Sequence, residues 1–246
     1  MQYSMVLNAE SMEKACLSAP AVVKAITDFD LPDQVVHVSL QAPAALQVDL
    51  SDQNQELLSV DPSDCAALHR VLQRQLRSCG ATVGIGGYGE KRSVYSRAEQ
   101  YERDGEVRCV HLGIDIWVPS GEEIFSPFDA TVHSFQNNDA LGDYGPTIIL
   151  EHDLQGTSFF TLYGHLSAAS LDGKLVGQRV HSGEKFASVG APPSNGDWPP
   201  HLHFQVIVDM LGKQGDFPGV ASEKERSIYM QLCPNPNLIL RSPLLR

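Results

Sequence analysis

A mainly β fold, an antiparallel sandwich or barrel-like sheet with an α+β annex at its N-terminus, follows from three features of the sequence. Short β-branched and aromatic runs crowd the chain after residue 84, Gly, Pro, Asn and Asp punctuate them, and helical periodicity is confined to the segment before Gly80. The 246 residues are 42% hydrophobic and 20% charged, ordinary globular usage that excludes a disordered chain, a collagen and a coiled coil.

The N-terminal helical stretch runs from about Ser11 to Ile26 and is interrupted at Pro20. Two β-like runs follow, Val35 to Leu40 and Leu46 to Leu50. Residues 61–80 carry a full set of helix signals, with Asp61 as cap, Pro62 in the first turn and Gly80 at the stop. Between them Cys65, Leu68, Val71, Leu72, Leu76 and Cys79 recur at helical steps, while Arg70, Arg74 and Arg77 lie toward the negative end of the helix dipole.

A glycine-rich GIGGYGEKR segment then separates residues 1–83, an α+β region of unassigned role, from residues 84–246. In the second part strands are expected at Ile114–Val118, Ala130–Phe135, Thr147–Glu151, Ser158–Tyr163, Lys185–Val189 and His203–Val208. Such close spacing leaves no room for crossover helices, so the sheet should be mostly antiparallel. From about residue 211 a Gly- and Pro-rich tail reads as irregular chain wrapping the domain.

Asp and Glu number 30 against 18 Lys and Arg, a net charge of -12 that repels phosphate backbones and argues against a nucleic-acid partner. No apolar run reaches the ~20 residues a spanning helix needs, and the N-terminus lacks a charged head followed by an apolar stretch. The expectation is no membrane span and, as given, a cytoplasmic chain. The five cysteines are widely spaced with no C-x-x-C pair, so they read as free thiols.

Nine histidines are present, and four stand in patterns with chemical meaning. In His111-Leu-Gly-Ile-Asp115, two potential ligands four apart in a straight strand would be roughly 13 Å from each other, too far to share an ion with ligands ~2 Å away. The backbone must therefore turn, and Gly113 at the midpoint can take a positive φ. In His201-Leu-His203 strand alternation puts both imidazoles on one face, with Leu202, Phe204 and Val206 on the other. His165 ends a strand pattern, TLYGHLS, where Gly164 lets the chain bend. His37, His69, His133, His152 and His181 stand outside these patterns and read as structural or surface residues.

H-x-x-x-D, then YGHL, then HLHF, in that order, resemble the lysostaphin-type, LytM-like zinc endopeptidases over roughly residues 84–210, with SPFDATV and GEKFASVG as supporting pieces. The resemblance implies one zinc ion per chain, held by His111, Asp115 and His203. Two neutral imidazoles and a carboxylate leave the site near +1 and one coordination position open for water. It further implies that His165 and His201 are catalytic. One would be the general base for that water, and the other a donor to the oxyanion or the leaving amine; the sequence does not say which. The implied substrate is a peptide or a peptidoglycan-derived one, cut by an endopeptidase.

Trp198, Asn195, Tyr144 and Tyr163 are candidates for the substrate groove, a tyrosine hydroxyl being a further oxyanion donor. Glu90, Arg92 and Tyr95 either pair inside the domain or face the cleft. Gln205 stands where many relatives carry Glu, which would remove an acceptor behind a metal ligand. GYGEKRSVY, NGDWPPHLHFQ and CPNPN resemble a variety of this domain found in larger, cytosolic-type polypeptides beside aminotransferase-like modules, whereas typical relatives act outside the cytoplasm. The N-terminal region or the tail could cover one end of the groove, as pro-segments do.

Two other readings fit parts of the pattern. A zinc-containing binding or regulatory module of the same fold would keep the ligands without hydrolysis. A cupin-type oxygenase also carries H-x-H on a strand, but it wants a glutamate four or five residues after the second histidine, where this chain has Ile207 and Val208.

Overall fold

The computed structural model describes residues 8–61, 64–92, 94–97, 101–103 and 106–245. Its first two helices, α1 (Ala9–Cys16) and α2 (Ala19–Asp28), part at Leu17 and Ser18 rather than at Pro20. Pro20 instead lies in the first turn of α2, where its missing N–H removes no helical hydrogen bond. Val22 and Ile26, one helical turn apart, are fully buried and fasten α2 to the core.

Of the two β-like runs, Val35–Leu40 forms bends, although Val35 and Val36 are buried, and Leu46–Leu50 contracts to β1 (Ala45–Gln47). Helix α3 (Cys65–Cys79) is capped by Asp64, which accepts the Ala67 N–H at 2.8 Å. Asp61 is not the cap, because its carbonyl closes a turn by accepting the Asp64 N–H; Pro62 lies outside the described residues. The helix ends at Gly80 with φ 68, the left-handed stop that glycine favours.

The glycine-rich GIGGYGEKR segment begins in a strand, β2 (Val83–Gly86), and goes on through a turn. A Cβ on Gly84 would meet Val48 Cγ2 at 2.8 Å and one on Gly86 the Val48 carbonyl at 2.6 Å, so small residues let the chain just after β1 lie against it.

The remaining strands are β3 (Glu102–Arg103), β4 (Glu106–His111), β5 (Ile114–Trp117), β6 (Glu123–Phe125), β7 (Ala130–Asn138), β8 (Gly145–Leu154), β9 (Thr157–Gly164), β10 (Arg179–Val180), β11 (Lys185–Ser188), β12 (Leu202–Ile207) and β13 (Val220–Ser222). The main sheet has the order β1-β2-β5-β12-β9-β8-β7-β10, with smaller sheets β11-β6 and β13-β4-β3. All its pairs are antiparallel except β1 with β2, which α3 joins as a crossover.

One face of the sheet buries Ile85, Ile114, Ile116, Ile148, Leu150, Leu202, Phe204 and Val206 in a core shared with Val22, Ile26 and Val36 of the N-terminal region. The other face carries Leu162, Ile149 and Ile207, packed with Leu112, Phe217 and Leu232. The tail is not irregular throughout: beyond β13 it forms α4 (Arg226–Leu232) and α5 (Asn237–Leu240), each too short to show periodicity in the sequence. No described helix is long and apolar enough to cross a membrane. All five cysteines are free.

Candidate metal centre

Strand β12 lies between β5 and β9, and its register sets His203 opposite Asp115 on one side and opposite Gly164 on the other. Residues far apart in sequence thus become lateral neighbours, separated by the spacing of adjacent strands, roughly 4.8 Å. His111 ends β4, in a different sheet, and the chain passes from one sheet to the other through Leu112 and Gly113 before Asp115. That passage is the turn the H-x-x-x-D spacing demands.

Gly113 serves this turn by its size, not by a positive φ. A Cβ there would lie 2.5 Å from His203 Cε1 and 2.8 Å from the Phe204 carbonyl oxygen. At the third motif the unusual backbone belongs to His165 itself, with φ 59, rather than to Gly164. Gly164 is small because a Cβ would come within 2.6 Å of the Tyr144 ring. A non-glycine residue held in the left-handed region marks a site where surrounding structure dictates the conformation.

The three ligand candidates converge. His111 Nε2 lies 2.9 Å from His203 Nδ1 and 3.3 Å from Asp115 Oδ1, and His203 Nδ1 lies 3.2 Å from the same Asp115 oxygen. Tetrahedral ligands ~2 Å from a zinc ion are roughly 3.3 Å from one another, so this triangle fits that ion. All three are buried. The far side of each imidazole is tied down: His111 Nδ1 donates to the Gly87 carbonyl at 3.1 Å, and His203 Nε2 sits 2.9 Å from Gln205 Oε1. Each ring therefore turns its unprotonated nitrogen toward the shared point.

Gln205 is thus an acceptor behind a ligand, contrary to the expectation that a glutamine here removes one. Its amide nitrogen donates to the Pro218 carbonyl at 3.1 Å and to Cys233 Sγ at 3.2 Å, which leaves the carbonyl oxygen for His203.

His165 and His201 flank the triangle with their rings 4.2 Å apart. His165 Nδ1 donates to the Asn195 carbonyl at 2.8 Å and His201 Nδ1 to the Pro199 carbonyl at 2.7 Å, so both keep Nε2 free to accept a proton. His201 Nε2 is 3.8 Å from Asp115 Oδ1, and its ring stacks on Trp117.

Burial keeps His111, His165 and His201 neutral. Burial, reinforced by the Arg92 charge, pushes His111 down to about 3. Burial, with His201 and His203 beside it, holds His165 well below its ordinary value, and burial also lowers His201, against the pull of Asp115. Burial alone would raise Asp115, but the groups facing it, His111 and Arg92 foremost, hold its carboxyl well below the usual carboxylate range.

The five side chains open into one cavity of about 650 Å³, within the range of small-ligand sites. Trp198 and Tyr144 line it. Asn195 and Tyr163 do not: Asn195 is fully buried behind the wall, supporting His165 and bonding Trp198, and Tyr163 packs in the core between Phe186 and Phe204. The Tyr144 hydroxyl lies 3.5 Å from Gln205 Oε1, on the side of His203 away from the ligand triangle. Leu50 and Leu68 also line the cavity, so residues 1–83 supply part of its wall. Sequence spacing had no means of placing them there. The remaining histidines stand outside the cavity wall; His37 stacks on Phe125 and His152 is a buried core residue.

Residues 109–215 match the model described as Peptidase family M23. A Pseudomonas aeruginosa protein assigned to peptidase M23 is 24% identical over 54% of this chain and 44% of that one, with a TM-score of 0.37. A zinc-containing peptidase from Vibrio cholerae is 26% identical over 49% of this chain and 31% of that one (TM-score 0.33). The catalytic domain of the antimicrobial peptidase lysostaphin from Staphylococcus simulans is 21% identical over 64% of this chain and 92% of that one (TM-score 0.42). The chain spans less than half the length of the first two. A search of curated proteins returns no match.

Proposed function

We propose that this protein is a zinc-dependent endopeptidase that cuts short, small-residue peptides, either peptidoglycan-type cross-link peptides or another peptide of that kind. The observation that carries the reading is the convergence of His111, Asp115 and His203 on one point, beside two histidines whose Nε2 atoms are free. The M23 match over residues 109–215 supports a metallopeptidase.

Zinc held by His111, Asp115 and His203 would supply Lewis-acid polarisation of the scissile carbonyl and a bound water with a pKa near ~7. His201 takes the proton of the attacking water on Nε2, because Asp115 Oδ1 at 3.8 Å favours its cation, and delivers it to the leaving amine. His165, fixed by Asn195 and ringed by histidines, orients the water from the other side. Trp198 and Tyr144 give the peptide a flat apolar wall.

Metal analysis of the purified protein, followed by mass-spectrometric screening of peptide and muropeptide mixtures with and without chelator, tests this. Cleavage that chelator abolishes is the expected result. Zinc without cleavage would leave a binding module of the same fold, and a protein that takes up no zinc would end the metal reading.

A further inference from the structure

Arg92 is a buried guanidinium, 3% exposed, and the side chains around it form a chain that ends at the metal ligands. Its Nη1 donates to Asp115 Oδ2 at 2.6 Å and to the Tyr95 hydroxyl at 3.1 Å. Its Nε donates to Glu90 Oε2 at 2.6 Å. The other oxygen of Glu90 accepts the backbone N–H of Leu50 at 3.0 Å. The guanidinium carbon also sits 5.9 Å from the centre of the Tyr95 ring and 6.0 Å from that of Trp117, so rings flank it.

The two oxygens of Asp115 are thereby divided. Oδ1 faces His111 Nε2 and His203 Nδ1 at 3.3 and 3.2 Å, while Oδ2 is held by Arg92. A carboxylate with one oxygen engaged by an arginine cannot turn both toward an ion. Charge does not explain the choice of residue, because Glu90 and Asp115 already offset the guanidinium. What arginine supplies is a planar fork with fixed directions, which a lysine ammonium does not reproduce.

We propose that Arg92 is a positioning residue of the metal centre, restricting Asp115 to single-oxygen coordination, and that Glu90 and the Leu50 backbone hold Arg92 in place. The proposal rests on the zinc reading above. It gives residues 1–83 a role in the site: the segment at Leu50 anchors the outermost link of the chain that sets a ligand's orientation.

The test uses the full chain with Arg92→Met, Arg92→Lys and Glu90→Gln. Zinc dissociation constants come from competition with a chromophoric chelator, and coordination number from the intensity of the visible bands after cobalt replaces zinc. Zinc binding by the unaltered protein is measured first; its absence would overturn the metal reading and this proposal with it, whereas the variants bear on Arg92 alone. Arg92→Met is expected to weaken zinc 10- to 100-fold, the range for groups that orient ligands, and to shift cobalt from the strong four-coordinate spectrum to the weak five-coordinate one as Asp115 turns in its second oxygen. Arg92→Lys recovers part of the affinity. A role confined to fold stability would lower the melting temperature of the metal-free protein and leave the cobalt spectrum unchanged. Should Arg92→Met fail to fold, Glu90→Gln decides, with an expected loss of three- to tenfold. Affinity within threefold and an unaltered cobalt spectrum in whichever of these variants folds overturn the proposal.

Discussion

Gln205 Oε1 and His203 Nε2 lie 2.9 Å apart, and the glutamine cannot turn over, because its nitrogen is engaged by the Pro218 carbonyl on the opposite side. The arrangement fixes which imidazole nitrogen of His203 carries the proton and so which one faces His111 and Asp115.

Gln205→Met, similar in length but without an acceptor, should therefore weaken zinc by about 10- to 100-fold while the fold persists. Chelator competition and circular dichroism on the same samples check this; unchanged affinity would mean that Gly113 and the neighbouring ligands orient His203 unaided.

Gly113→Ala is expected to disturb the site from the other side. The added carbon would sit 2.5 Å from His203 Cε1 with the Phe204 carbonyl 2.8 Å away, so the imidazole or its strand must move. Overpacking of this kind costs about 1–3 kcal/mol. A lowered melting temperature together with at least tenfold weaker zinc is the expected outcome; lost stability with unaltered affinity would show that the strand, not the ring, gives way.

His165→Asn separates catalysis from assembly. The residue sits at φ 59, a conformation asparagine tolerates better than most, and it is not among the three converging ligands. The variant should keep zinc and its melting temperature and lose about 10²- to 10⁴-fold in peptide turnover. Full turnover on a substrate the parent cleaves would remove His165 from the mechanism.

Acid should destabilise the metal-free protein through its buried histidines. Burial pushes His152 in the folded chain down to about 4 from its ordinary 6.5. A lowered histidine means that the unfolded chain takes the proton first, so the stability from this residue is complete above about 6.5 and is lost as pH falls toward 4. The span corresponds to roughly 3 kcal/mol. Urea unfolding at pH 7, 5.5 and 4.5 should give a falling midpoint whose slope is shallower in His152→Gln; equal slopes would place the acid sensitivity elsewhere, with His111 the next candidate.

Much of the site was legible because period-two alternation and short motif spacing are local. His201 and His203 share a face for the reason strands alternate, and His111 and Asp115 are brought together by a change of sheet that the four-residue spacing required. The three separated motifs were joined only through the family they resemble, and partners outside those motifs were not legible. Arg92 meets Asp115 because β2 is laid beside β5, and Leu50 meets Glu90 because β1 is laid beside β2. Glycine misled once: Gly113 looked like a positive-φ turn, whereas it is a place where neighbouring atoms leave no space for a side chain. Tyr163 resembled a groove residue because strand position alone does not say which face meets the core.

The position of β12 bears on how the protein is made. It is the last of the sheet's strands to be synthesised, yet it is inserted between β5 and β9, and it brings both His203 and the Gln205 that steadies it. A nascent chain that still lacks Leu202–Ile207 holds two of the three converging residues, so the candidate ion site cannot form until the scaffold is nearly whole.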